Sequence, residues 1–248
     1  MFSPLASLLV CGLLAGVGRG EDCARSYLYQ PAYCVDDLLR ERAEPYAPQP
    51  GDIYLATDRS RIIQAGHSLA LSGAPHHSGI VICQANGQIG ILESGPFNSL
   101  HVAIVDFNHD LEKHEARGEK VWIRRRRTPL SPDQSAELTA WAVAQNGKLF
   151  AAGRMMLQLT PLRTRGPLRT YVMGGPQGER NSYFCSELVL ESCVHVGLLS
   201  PSVTRPSATY PRDLFFDASA NRFLNSHFTL AADWYPPARW TSHLLTTP

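Results

Sequence analysis

Two short runs rich in apolar and β-branched residues, Ser78 to Cys83 and Gln88 to Glu93, flank Ala85-Asn86-Gly87. Asn and Gly accept the positive φ angles of a tight reversal, so this pattern predicts an antiparallel hairpin at the centre of the chain. Loop length then decides which side chains meet, because residues alternate between the two faces of a strand. A two-residue Asn-Gly turn sets Glu93 opposite Ile80, on the face of His76 and Ser78. A three- or five-residue loop instead sets Glu93 on the face of Gly79 and His77.

Further along, Tyr183-Phe184-Cys185-Ser186-Glu187-Leu188-Val189 reads as an aromatic strand end running into a helix, with a cysteine at the junction. The first turn of a helix presents unpaired N–H groups and the positive end of the peptide dipole, which favour a thiolate over a thiol. Such a cysteine is a candidate nucleophile. His77 supplies a candidate base and Glu93 a candidate orienting carboxylate, the parts of a thiol-hydrolase triad. The case for His77 rests on Gly79, which leaves room for close backbone or substrate approach, and on the downstream cysteine; it is preferred to its rival His76 because the odd loop joins it to Glu93.

Each of these residues has a plainer reading. Glu93 would also suit the end of a strand where the sheet meets solvent, and Glu187 would complement the helix dipole. Cys193 reads as a small buried hydrophobe. His101, His109, His114, His195, His227 and His243 read as surface or structural. The run Arg124 to Arg127 reads as a solvated face, and the C-terminal Trp and Tyr residues as cover for the core.

Residues 1–20 carry an apolar run, Leu5 to Val17, too short to span a membrane and followed by small residues, so a signal peptide and a secreted or periplasmic product are expected. The chain has 23 Lys and Arg against 22 Asp and Glu, and loss of Arg19 with the signal leaves the two equal. A near-neutral chain argues against a nucleic-acid partner or a general anionic-membrane surface. Of the cysteines beyond the signal, Cys23, Cys34, Cys83, Cys185 and Cys193, the first two flank a short loop and form the expected disulfide. No C-x-x-C or His-x-x-x-His spacing suggests zinc, and no later stretch suits a transmembrane segment.

The N-terminal segment and connector take residues 21–50, with an amphipathic stretch at Val35 to Arg42 and a Pro-rich one at Pro45 to Pro50. A strand is expected from Ile53 and an irregular region or short helix over 58–76. Val121 to Arg124 reads as a strand. Ser131-Pro132-Asp133-Gln134 is a capping box opening a helix with Leu138, Trp141 and Ala142 inward, ended by Gly147. The helix from Cys185 should bury Leu188, Val189, Cys193 and Val196. Residues 201–248 form a Pro- and aromatic-rich extension packed on the same domain.

Together, Gly51-Asp52-Ile53, His77-Ser78-Gly79-Ile80, Leu92-Glu93, Gln145-Asn146-Gly147-Lys148-Leu149-Phe150 and the Cys185 segment resemble the circularly permuted NlpC-type branch of papain-like cysteine amidases, the YiiX/YaeF-like group. The order carries the resemblance: the histidine strand precedes the cysteine helix, the reverse of ordinary papain-like enzymes. It implies an α+β fold over 51–200, an antiparallel sheet or partial barrel packed on the cysteine helix. It also implies attack of Cys185 on an amide or ester carbonyl with His77 and Glu93, and no cofactor. Tyr183 and Ser186 are then candidate oxyanion or supporting groups. Ser78 departs from the apolar residue common at that position. A peptide or cell-wall-like amide is the leading substrate class. An acyltransferase or lipid-ester hydrolase is favoured instead by an apolar groove beside Cys185, and a non-catalytic binding module by a blocked cysteine.

Overall fold

A computed structural model describes residues 26–29, 43–95, 99–219, 221–225 and 229–243. The expected signal, the Cys23–Cys34 pair and the stretch from Val35 to Arg42 lie outside these residues. In chain order the elements are β1 Tyr27–Tyr29, β2 Glu44–Pro45, β3 Ile53–Ala56, α1 Arg61–Leu69, β4 His77–Cys83, β5 Ile89–Gly95, β6 Ser99–Asp106 and α2 Phe107–Ala116. There follow β7 Val121–Arg124, α3 Pro132–Gln145, β8 Leu149–Phe150, α4 Ala152–Leu157, α5 Pro167–Val172, β9 Ser182–Tyr183 and α6 Cys185–His195. A 3-10 turn at Pro206–Ala208, α7 Pro211–Phe216, α8 Arg222–Asn225 and β10 Ala238–Thr241 complete the elements of the described residues. This is an α+β protein whose ten strands run in the order β2-β1-β10-β7-β3-β4-β5-β6-β8-β9. Every pairing is antiparallel except β8 with β9. No helix of the described residues is long and apolar enough to cross a membrane.

The central hairpin forms with Cys83 opposite Ile89, so residues 84–88 make a five-residue loop and Gly79 lies opposite Glu93. That is the odd loop, and it puts His77, Gly79 and Glu93 on one face. The same alternation divides the core. Ile53, Leu55, Ile80, Ile82 and Leu92 pack with Leu188, Val189 and Cys193 of α6. Tyr54, Val81 and Ile91 pack with Phe107 and Leu111 of α2 on the other side. Gly79 permits the close approach: a Cβ there would lie 2.9 Å from the Leu92 carbonyl oxygen and 2.6 Å from Ile91 Cγ2. The space beside it is thus filled by the neighbouring strand and by Tyr54, not held open for substrate.

The capping box of α3 forms as read, with Ser131 accepting from the Gln134 N–H, and Leu138, Trp141 and Ala142 are buried. The arginine run is a correction. Arg124 and Arg126 are buried, at 2% and 8% exposure, instead of forming a solvated face. Arg124 donates to the Leu214 and Tyr235 carbonyls, while Arg126 lies over the Trp234 ring and Arg127 over Tyr235. The run clamps the C-terminal segment, whose strand β10 inserts between β1 and β7. Consecutive charges could not reveal this, because their partners are carbonyls and aromatic faces about 90 to 110 residues away. Trp234 and Trp240 are buried, and the Trp234 indole N–H donates to the Gly51 carbonyl.

Candidate active site

His77 opens β4, and its ring is fully buried next to Glu93 of β5, with His77 Nε2 2.8 Å from Glu93 Oε2. The five-residue loop makes this pair, since it aligns the two strands so that both side chains point to one face. Tyr54 packs edge-on against the His77 ring at 5.8 Å between centroids. Cys185 is the first residue of α6 and is 9% exposed, at the wall of a cleft that His76 and His77 also line.

Cys185 and His77 act on each other's ionisation. Burial pushes the Cys185 thiol up, yet the hydrogen bond and charge of His77, helped by the Ser78 hydroxyl and the Ser186 N–H, bring it below its usual 9.0. Burial pulls His77 down, but the Glu93 carboxylate and the hydrogen-bonding and charge of Cys185 raise it above its usual 6.5. Both shifts favour a thiolate–imidazolium pair. Cys193, deeper in the same helix, is the contrast: burial drives its thiol up to about 12.

Ser78 is a residue whose part the sequence obscured. In the sequence it is only a departure from an apolar pattern, yet its buried hydroxyl, which makes no hydrogen bond of ordinary geometry, is among the groups that lower the Cys185 pKa. Ser78→Ala is expected to raise the pH at which Cys185 becomes reactive and to slow its alkylation at neutral pH by about 3- to 10-fold, the worth of one neutral hydrogen bond. Mass spectrometry of the Cys185 peptide measures this.

His76 is not brought to Glu93. Its Nδ1 accepts the Asp58 backbone N–H at 3.0 Å and its ring packs against His67. Burial lowers its pKa, so it is neutral with the remaining proton on Nε2. The Tyr183 hydroxyl is engaged away from the cleft: its one proton is shared between Gln145 Oε1 at 2.9 Å and the Gly178 carbonyl at 3.1 Å, and it accepts from the Arg180 N–H. Ser186 donates to the Thr209 carbonyl at 2.6 Å. The Tyr183 hydroxyl thus ties α3 to the 178–180 loop and the Ser186 hydroxyl ties α6 to Thr209, and both are spent on these bonds.

Glu187 does more than complement the dipole. Fully buried, it accepts two hydrogen bonds from Arg154, one from Ser207 and one from the Phe184 N–H. These contacts tie α4 and the 3-10 turn to the start of α6. Behind His77, on the α2 face, buried His114 contacts the Tyr54 hydroxyl at 2.6 Å and Glu119 at 2.5 Å. Burial first, and His77 next, push His114 down to about 4. Among the described residues no group of three or more His, Cys, Asp or Glu could hold a metal ion.

The cleft is open to solvent, and its space for water-sized spheres amounts to about 100 Å³. Its walls are almost wholly apolar, with Ile63, Phe150, Met155, Met156, Leu159 and Phe184 around Cys185.

The fold and site define an α+β protein in which Cys185 and His77, the latter paired with Glu93, border an apolar cleft. No family model and no curated protein matches the chain. Among solved structures it is similar to the crystal structure of metalloprotein yiiX from Escherichia coli O157:H7, DUF1105. The TM-score is 0.42 and the identity 20%, over 62% of this chain and 69% of that one. A likeness of that size assigns no family.

Proposed function

We propose that the protein is a thiol hydrolase of the papain-like kind, with Cys185 as nucleophile, His77 as base and then acid, and Glu93 as the group that orients the imidazole. The observation that carries this is Cys185, at the head of α6, lining one cleft with His77, which is itself bonded to Glu93 at 2.8 Å. The histidine strand precedes the cysteine helix, the order of the permuted group. The thiolate adds to a substrate carbonyl, and the oxyanion is met by the Cys185 N–H at the helix start. Imidazolium gives its proton to the departing alcohol or amine, leaving a thioester on Cys185. Water, deprotonated by His77, then releases the acid and restores the thiol.

For the second oxyanion donor we assign His76, which lines the cleft as a neutral ring with its free proton on Nε2. His76→Phe is expected to lower the acylation rate by about 100-fold while the Cys185 alkylation profile stays in place. A shifted profile would instead make His76 a proton-transfer partner of the thiol.

The cleft decides between substrate classes. Apolar walls offer nothing to the carboxylates and amines of a cell-wall peptide, whereas they suit a hydrocarbon chain. We therefore favour acyl esters or acyl amides over peptides. Turnover of p-nitrophenyl esters of increasing chain length is the test. Rates that rise from acetyl to octanoyl and vanish in Cys185→Ala support the reading. A flat or falling series alongside cleavage of peptide amides would return it to the amidase.

A further inference from the structure

We infer that the helices around the cleft mouth seat on an anionic lipid bilayer, so that an acyl chain passes from the bilayer directly to Cys185. This rests on the acyl-hydrolase reading of the cleft and adds where the substrate comes from. Helix α1 and helix α4 bury none of their residues, and α5 buries only Thr170. They are nonetheless apolar: Ile62 is 84% exposed, Leu69 70%, Met156 60%, Leu168 81% and Val172 79%. An amphipathic helix normally turns such residues onto the core. Here Ile63 of α1 and Met155 and Met156 of α4 line the cleft instead, so the exposed side chains of these two helices border its mouth. The chain between α4 and α5 is held to the same wall, with Arg165 over the ring of Tyr210 at 4.2 Å and Thr164 bonded to the Ser207 carbonyl.

Charge selects the occupant. Residues 59–92 and 138–178, which carry these helices, contain Arg59, Arg61, Lys148, Arg154, Arg163, Arg165 and Arg169 and no Asp or Glu. Arg154 and Arg165 are engaged by Glu187 and Asp213. Arg61 opens α1, Arg163 lies between α4 and α5, and Arg169 on α5 donates to the Pro161 carbonyl, whereas Arg59 donates to the Arg117 carbonyl and Lys148, before β8, to Gln145. Near-neutrality of the whole chain conceals this local imbalance. Apolar side chains that enter the acyl region, rimmed by arginines that meet phosphate, are the chemistry of an interfacial surface. A protein groove would supply the apolar contact without requiring carboxylates to be absent over both segments.

The test is cosedimentation of the full chain with vesicles of phosphatidylcholine alone and of phosphatidylcholine with about one third phosphatidylglycerol, in the range where anionic lipid attracts basic residues. Two variants, Ile62→Glu with Leu69→Glu and Leu168→Glu with Val172→Glu, avoid the residues lining the cleft. Unchanged alkylation of Cys185 shows that they fold. The expected result is binding several-fold stronger to the anionic vesicles and lost in both variants, with soluble short-chain ester turnover unaltered. Absence of binding, or binding that neither variant reduces, overturns the proposal. So does a dimer that the glutamates dissociate, since the occupant is then a second copy. The two readings also fail separately. If the anionic vesicles hold the wild type and Cys185→Ala alike while no ester is cleaved, the lipid surface stands and the hydrolase does not. If esters turn over without vesicle binding, the reverse holds.

Discussion

At pH 7, iodoacetamide is expected to alkylate Cys185 about 100-fold faster in the wild type than in His77→Ala, where each unit of thiol pKa is worth about tenfold in thiolate. The sign follows from the opposing influences on the thiol. Burial, the largest, raises its pKa, and His77 is the chief group that brings it below 9.0. Removing the imidazole leaves burial in command, so the thiol ionises only above its ordinary range. The wild-type rate should persist below pH 9 and fall as acid converts the thiolate of the ion pair to thiol. His77 itself, raised above 6.5, stays protonated through neutrality and loses its proton only on the alkaline side. A profile over pH 4 to 11 resolves both variants. Equal, alkaline profiles would remove the activated thiolate on which the proposed chemistry depends. Glu93→Gln should lie between them, because the ring keeps its place but loses the carboxylate that sustains its charge.

Glu187→Ala is expected to give the largest loss of stability, about 3 to 5 kcal/mol, the usual result of removing one partner of a buried ion pair. In a chain of this length that is a fall in melting temperature of about 10 °C. The carboxylate is wholly inaccessible and answers two arginine N–H groups, a serine hydroxyl and a backbone N–H. Deleting it strands the Ser207 and Phe184 donors and frees α4 from α6. Glu187→Gln keeps the shape and part of the bonding, and should recover about half of the loss. Thermal unfolding followed by circular dichroism measures both. Losses under about 1 kcal/mol would mean that Arg154, 30% exposed, draws little from the pair, as surface pairs do.

Both predictions join a local feature to a distant one, and the two kinds differ in how far the sequence shows them. The central hairpin, the capped helix α3 and the cysteine at the head of α6 could be read directly, because turn residues, a Ser-x-x-Gln box and an apolar stripe act within a few residues of each other. The choice between His76 and His77 reduced to one question, the parity of a loop, and the sequence left that open. β6 and α2, which form the hairpin's next strand and the cover over Tyr54, passed unread because no strong turn or cap signal marks where 99–106 becomes helix. Asp106 is nonetheless the N-cap, accepting from the His109 N–H.

The tertiary structure decided the remainder. Arg124 to Arg127 became a clamp only when Trp234 and Tyr235 arrived from the C-terminus. Ser78 came to influence the Cys185 thiol only through the packing of α6 against β4, and the apolar walls of the cleft came together from α1, α4 and β8. Local chemistry specifies turns, caps and periodicity because its interactions span a few residues. Burial, ion pairing and the shape of a cleft depend on which distant segments exclude water from one another, and a single sequence does not display that pairing.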